Sequence, residues 1–226
     1  APRLDAPVTL AAGALALVLT ARFAEPTRCR VCGFGELDES MREHLVWHDP
    51  RAARTASNVL ANGIIPAAAL LNSAVFSWRG GVRSAFWEDA LVLTEVTALA
   101  TGLDEVAKDA FARRRPSAGR SARGAADQSF YSGHTSLAFA LAAGAGTIST
   151  LRGYPSAPWT WGVGMTLASA VGYLRVAGDA HWTTDVLAGA AAGGAIGFAV
   201  PWLFHRVRRS RRLDVAPAPG GLAVHF

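Results

Sequence analysis

The sequence predicts an all-α protein, a polytopic membrane helix bundle of about six transmembrane helices. Two observations carry this. Hydrophobic residues make up 51% of the 226 residues and charged ones only 17%, below the roughly one quarter usual in soluble domains. The charge is also gathered into arginine-rich links, and between the links lie apolar runs long enough to cross a hydrocarbon layer about 30 Å thick. Mean hydropathy is a modest +0.23 because Ala and Gly supply much of the apolar content. A chain of this length is read as a single domain, 1–226. A net charge of +5 raises the question of nucleic acid. The clusters flank uncharged runs, which favours membrane topology and phosphate binding, so no nucleic-acid partner is expected.

Taken in order, residues 6–21 form the first uncharged run, of a length that fits a membrane helix or a signal-peptide core. No clear small-residue cleavage site follows, which favours a helix. Residues 22–54 are a polar link in which Leu37, Met41, Leu45 and Val46 recur near helical spacing, predicting a short amphipathic helix on the membrane surface. Thr55–Trp78 carries no charge, with Pro66 as the expected kink. Ala85–Leu103 is the weakest span because Glu88, Asp89 and Glu95 interrupt it; Glu95 falls deep in the layer and should face other helices. Lys108–Gln128 reads as a polar loop. Ser129–Leu151, Gly153–Leu174 and Val186–Phe204 complete the set, the last with Gly189, Gly193 and Gly197 four apart, a stripe that lets another helix approach closely. Residues 206–226 are a basic tail.

Six spans place the links alternately on two sides. Arg79 with Arg83, Arg152, and Arg206 to Arg212 share one side with the N-terminus, which the positive-inside tendency makes cytoplasmic. The 22–54 link, the Lys108 loop and the Arg175–His181 link share the outer side. The Lys108 loop breaks the charge rule, since Lys108, Arg113, Arg114, Arg115, Arg120 and Arg123 all lie outside. A charge that defies topology calls for a functional explanation.

Three polar signatures occupy that outer side: Lys108-x6-Arg115-Pro116, Ser132-Gly133-His134, and Arg175-x5-His181-x3-Asp185. Their chemistry fits a bound phosphate. Lys108, Arg115 and Arg175 can neutralise its oxygens. The Ser132 hydroxyl and the Gly133 N–H add donors at the start of a helix, a natural anion site. His181 and His134 titrate near neutrality and suit a nucleophile and an acid for the leaving oxygen. Asp185 lies four residues after His181, on one face if that stretch is helical, and could hold its ring N–H.

These signatures resemble those of the type 2 phosphatidic acid phosphatase (PAP2) superfamily, whose pattern is K-x6-R-P, P-S-G-H and S-R-x5-H-x3-D. The resemblance spans residues 108–185. It implies His181 as a nucleophile forming a phosphohistidine, Asp185 as its orienting partner, and His134 as the acid. It implies Lys108, Arg115, Arg175, Ser132 and Gly133 as phosphate ligands, with no metal and no cofactor. The membrane branch of the family implies a lipid phosphate or diphosphate as substrate, namely phosphatidic acid, phosphatidylglycerol phosphate or an isoprenoid diphosphate. It also implies an integral protein, bacterial inner membrane in type, with its site facing the periplasm or exterior. Tyr131 replaces the family's Pro, putting loop stiffness in doubt, and Leu174 replaces its Ser. A lipid phosphotransferase of the same family is the nearest rival; a transporter or scaffold would leave the signatures as coincidence. Other polar residues have blander readings: Arg113, Arg114, Arg120 and Arg123 as solvated or headgroup-facing, Asp179 and Trp182 as loop and interface residues. Cys29-x2-Cys32 with His44-x3-His48 lies near a zinc-ligand spacing, although a disulfide or two free thiols need no second ligand pair.

Overall fold

The computed structural model describes residues 29–118, 124–205, 214–218 and 221–225. The first expected span, 6–21, therefore lies outside the described residues, as do Arg120, Arg123 and Arg206–Arg212. Helix α1 is Glu36–Leu45. Helices α2 (Pro50–Val59) and α3 (Ile65–Arg79) are joined through a π-helical turn, Leu60–Ile64. Four long helices follow: α4 (Arg83–Phe111), α5 (Gly133–Arg152), α6 (Ala157–Ala177) and α7 (Thr183–Phe204). The tail adds an antiparallel hairpin, β1 (Asp214–Ala218) with β2 (Gly221–His225), which the all-α expectation did not include.

Pro66 stands in the first turn of α3, directly after the π turn. It has no N–H to give back to the preceding turn, and the irregularity is absorbed just before it as the wider π turn. Lys108 is not in a loop: α4 runs on to Phe111 and carries Lys108 in its last turn. The helix ends at Ala112, whose left-handed φ of 40° turns the chain so that Arg113 points inward.

Helix α5 is the centre of the bundle. Its run of Ala, Gly, Ser and Thr is buried nearly all round between α4, α6 and α7, as expected of a helix without a polar face. The small residues decide how close its neighbours come. A Cβ on Gly189 would sit 2.7 Å from the Ser132 carbonyl oxygen, and at Gly193 or Gly197 it would collide with the carbonyls of Ser136 or Ala140. The glycine stripe read from the sequence is thus the face of α7 on which α5 lies, backbone to backbone.

Two of the acids that interrupt α4 are buried and paired. Asp89 is buried and accepts from Ser73 at 2.5 Å, Arg152 Nε at 2.8 Å and the Tyr154 hydroxyl at 3.0 Å. Glu95 is fully buried and bonds His205 Nε2 at 2.6 Å, facing other helices as expected. Two helices, Pro50–Arg79 and Thr183–Phe204, are apolar and long enough to cross a membrane by composition alone, each with a mean hydropathy of 1.7. At the end of the bundle away from the three signatures, Trp78, Trp87, Trp159 and Trp202 are exposed on four different helices. Aromatic side chains in such a girdle suit a membrane–water interface.

Candidate active site

The three signatures converge at the opposite end. The last turn of α4 supplies Lys108, the loop after it Arg113 to Arg115, the first turn of α5 His134, the end of α6 Arg175, and the α6–α7 turn His181. That turn is tight because Asp179 adopts a left-handed φ of 51°, a conformation Asp tolerates better than most residues. His181 is 3% exposed, and its ring Nδ1 lies 2.8 Å from the Ser129 carbonyl oxygen. Nδ1–H therefore donates to Ser129, and Nε2 keeps its lone pair.

This differs from the spacing argument. Asp185 Oδ2 is 3.8 Å from His181 Nδ1, too far for a hydrogen bond. Helix α7 begins only at Thr183, so the turn bearing His181 is not helical and the i,i+4 face does not form. Asp185 instead accepts from the Ser129 hydroxyl at 2.6 Å and from the Trp182 N–H at 3.0 Å. It fixes Ser129, which fixes the histidine. Burial is the main influence on His181 and pushes its pKa from 6.5 down to about 3; the nearby Asp185 opposes this and the charges of Arg115 and Arg175 add to it. The ring is neutral, as a nitrogen nucleophile must be.

The second histidine, His134, is half-exposed at the start of α5. The charges of Arg175, Lys108 and Arg115 all bear on it, and those of Arg115 and Arg175 bear on His181 as well. Arg175 is 6% exposed and reaches Ser57 Oγ at 3.3 Å and Asn58 Oδ1 at 3.2 Å. Its Nε is buried without a hydrogen-bond partner. Arg115 is tied to the Gln128 carbonyl at 3.1 Å. Lys108 pairs with Asp104 at 2.6 Å and Glu105 at 3.0 Å. The Ser132 hydroxyl meets that of Thr135 at 2.9 Å, and the Ser132 N–H donates to the Asp185 carbonyl. Gly133 opens α5 with the Asp104 carboxylate packed against it, where a side chain would collide.

Sequence reasoning passed over several residues that build this site. Arg113 was read as a solvated arginine, yet it is 8% exposed and lies between two buried carboxylates. It donates to Asp38 Oδ2 at 2.7 Å, to Asp185 Oδ1 and to Thr184 Oγ1 at 2.7 Å. Arg114 pairs with buried Asp127 at 2.9 Å. The arginines that break the charge rule are thus partly neutralised within the protein. Asp38 is on α1, whose apolar Leu37 and Met41 point outward while the acid points in. It also accepts from the Thr184 N–H and so caps α7 from outside. A strap from Cys29 to Leu45 is held over the turn that carries His181. Cys29 and Cys32 form a disulfide, Val31 bridges Arg113, and Phe34 stacks on Trp182 with 4.6 Å between ring centroids. Arg42 grips Asp179 at 2.7 and 3.0 Å. The disulfide occupies both thiols of the zinc-like spacing, and His44 bonds its own helix at Ser40.

Residues 89–209, just over half of the chain, match the sequence model of the PAP2 superfamily. The chain belongs to the PAP2 superfamily. Among curated proteins it is 36% identical over 141 residues to a lipid A 1-phosphatase of Porphyromonas gingivalis, covering 62% of this chain. It spans only 29% of that longer protein. Among solved structures, the fold is similar to a transmembrane PAP2-type phosphatidylglycerolphosphate phosphatase from Bacillus subtilis. The TM-score is 0.62 at 19% identity, over 90% of this chain and 98% of that one. LpxE of Aquifex aeolicus gives a TM-score of 0.53 at 22% identity, over 74% and 95% of the two chains. The residues at the two departures from the family pattern are both buried in this fold. Tyr131, in place of Pro, is buried in a loop already fixed by hydrogen bonds from Arg115 N to Ala126 O and from Ser129 N to Arg113 O. Leu174, in place of Ser, packs with Ala53 and Ala177.

Proposed function

We propose that this PAP2 chain is an integral membrane, metal-independent phosphatase that hydrolyses a lipid phosphate or diphosphate through a phosphohistidine on His181. The observation that carries the reading is the neutral, buried His181, aimed by Ser129, beside three cations whose charges converge on His134. Nε2 of His181 attacks phosphorus while the bond from phosphorus to the leaving oxygen breaks. Burial and the charges of Arg175, Lys108 and Arg115 hold the His134 pKa down to about 4 before substrate binds. The incoming phosphate offsets those charges, so His134 takes up a proton with the substrate. It delivers that proton to the leaving oxygen, and the lipid alcohol or monophosphate departs. Water then attacks the phosphorus, giving its proton to His134. The P–N bond breaks and inorganic phosphate leaves, restoring both histidines. Arg115, Arg175 and Lys108 offset the charge on the phosphoryl oxygens, the role a metal ion has in other phosphatases. The Ser132 hydroxyl and the Gly133 N–H at the α5 terminus add donors. Asp185 acts through Ser129 and through its charge beside the imidazole.

The lipid preference follows from position. The signatures lie at the bundle end opposite the tryptophan girdle, the level at which a membrane lipid presents its phosphate. By the positive-inside tendency that end faces the periplasm or exterior. The test is phosphate release by the full chain in detergent from phosphatidic acid, phosphatidylglycerol phosphate and an isoprenoid diphosphate, with and without a chelator. Release that survives chelation and disappears in His181→Ala is expected. Activity retained by His181→Ala would overturn the mechanism, and loss on chelation would overturn metal independence.

A further inference from the structure

We propose that Arg54 binds a second phosphate on the substrate, next to the one that is cleaved. The inference rests on the lipid-phosphatase reading above and narrows its substrate class to lipids carrying two phosphates.

Arg54 belongs to none of the three signatures. It stands on α2, where Nε donates to the Gly178 carbonyl and Nη2 donates to the Asp179 carbonyl at 3.1 Å. Both acceptors are main-chain oxygens of the turn that carries His181. The Asp179 carboxylate is taken by Arg42, so Arg54 meets no carboxylate, and its Nη1 has no partner among the described residues. The side chain is only half-buried, which leaves that edge open at the rim.

Charge gives this geometry its meaning. The guanidinium of Arg54 lies close enough to Arg115 and Arg175 for their charges to interact repulsively. Among the described residues Arg175 has no carboxylate either; it meets Ser57 and Asn58 and keeps a buried Nε unpartnered. Lys108 already faces two acids. A phosphate monoester dianion balances about two positive charges; Arg175 supplies one, and Arg115, whose charge Asp104 and Asp185 partly offset, supplies the other together with Lys108. Arg54 is then a further cation in a confined place, with planar donors suited to phosphate oxygens. Like charges held together at reduced dielectric favour an additional anion. The plain alternative is a staple: a guanidinium fixing a turn through two carbonyls. The staple uses Nε and Nη2, which leaves Nη1 unexplained.

A second phosphate can reach Arg54 from two sources, directly bridged in an isoprenoid diphosphate or linked through glycerol in phosphatidylglycerol phosphate. Phosphatidic acid, with one phosphate, is the reference. The experiment compares kcat/KM of wild type, Arg54→Gln and Arg54→Lys on these three lipids in detergent, with the melting temperature of each variant recorded. Loosening the turn lowers all three rates together. Losing a charge-assisted phosphate contact lowers kcat/KM for a two-phosphate lipid by a further factor on the order of 10–100, mostly through KM. Arg54→Lys restores part of that factor. The two-phosphate lipid that suffers it identifies the spacing. A uniform loss on all three lipids, or none on any, overturns the assignment of Arg54 while leaving the phosphatase reading intact. A wild-type protein that releases phosphate from none of them overturns both.

Discussion

Replacing Arg113 by Met tests the framework behind the nucleophile. Asp38 and Asp185 are 2% and 0% exposed, and Arg113 donates to both. Methionine fills most of the volume but leaves two buried carboxylates without the guanidinium between them. Asp38 keeps the Thr184 N–H at 2.9 Å and its hydroxyl at 2.7 Å; Asp185 keeps Ser129 and Trp182. These remaining bonds place the loss at the ordinary figure for breaking a buried ion pair, about 3–5 kcal/mol. For a chain of this length that corresponds to a fall in Tm of roughly 6–20 °C. The assay is thermal unfolding in detergent alongside lipid-phosphate hydrolysis at a temperature where the variant is folded. Activity is expected to fall at least about tenfold, because Asp185 loses the contact that keeps its carboxylate on Ser129. Adding Asp38→Asn removes one uncompensated carboxylate and should recover stability without recovering rate. An Arg113→Met protein that melts within about 2 °C of wild type and turns over at the wild-type rate refutes the reasoning.

Ser129→Ala keeps the carbonyl that holds His181 but removes the hydroxyl bound to Asp185; kcat should fall about tenfold with little change in KM, read by steady-state kinetics. Gly193→Ala drives a methyl into the Ser136 carbonyl and should cost about 1–3 kcal/mol, measured as a lowered Tm. The pH dependence follows from His181, whose folded value of about 3 lies below the ordinary 6.5. The folded state then binds fewer protons than the unfolded one, so stability is full above about pH 6.5 and is lost as pH falls toward 3. The loss is at most about 1.4 kcal/mol per unit from this group. His181→Gln should flatten the decline of Tm between pH 7 and 5, and an unchanged slope would contradict the burial argument. Reducing the Cys29–Cys32 disulfide closes out the set: so short a loop removes little chain entropy, so a loss of about 2 kcal/mol or less is expected from Tm with and without reductant.

The three signatures, the helices and the glycine stripe were legible because each is a local pattern: fixed spacings, apolar runs, residues four apart. The parts that were not legible depend on contacts between distant segments. Asp38 reaches Thr184, and Arg54 reaches Gly178, across most of the chain, and nothing in their own neighbourhoods marks them. Arg113 and Arg115 look alike in sequence. One serves two internal acids, and the other is tied to the Gln128 carbonyl with its charge bearing on both histidines, a difference set by the distant segments each one meets. The expected Asp185–His181 bond failed for a related reason. The i,i+4 rule needs a helix through both residues, and the chain becomes helical only after the nucleophile. Ser129, which takes the place of that bond, offers both a carbonyl and a hydroxyl, a dual role that residue type alone does not announce.

The glycine face of α7 has a consequence for the chemistry above it. Where two helices touch through side chains, they can slide by small rotamer adjustments. Where carbonyls rest on Cα atoms, no such gearing exists, and the axial register is fixed to a fraction of a turn. One end of this contact is Ser132, beside His134; its mate on α7 is Gly189, one turn beyond Asp185. The stripe therefore acts as a ruler that sets how His134 stands to the turn carrying His181. A slip of one helical turn would move one histidine past the other by about 5.4 Å, farther than any single bond the reaction makes or breaks. On the proposed mechanism, the tolerance of catalysis is set down in the middle of the bundle, one helical turn and more away from the two histidines.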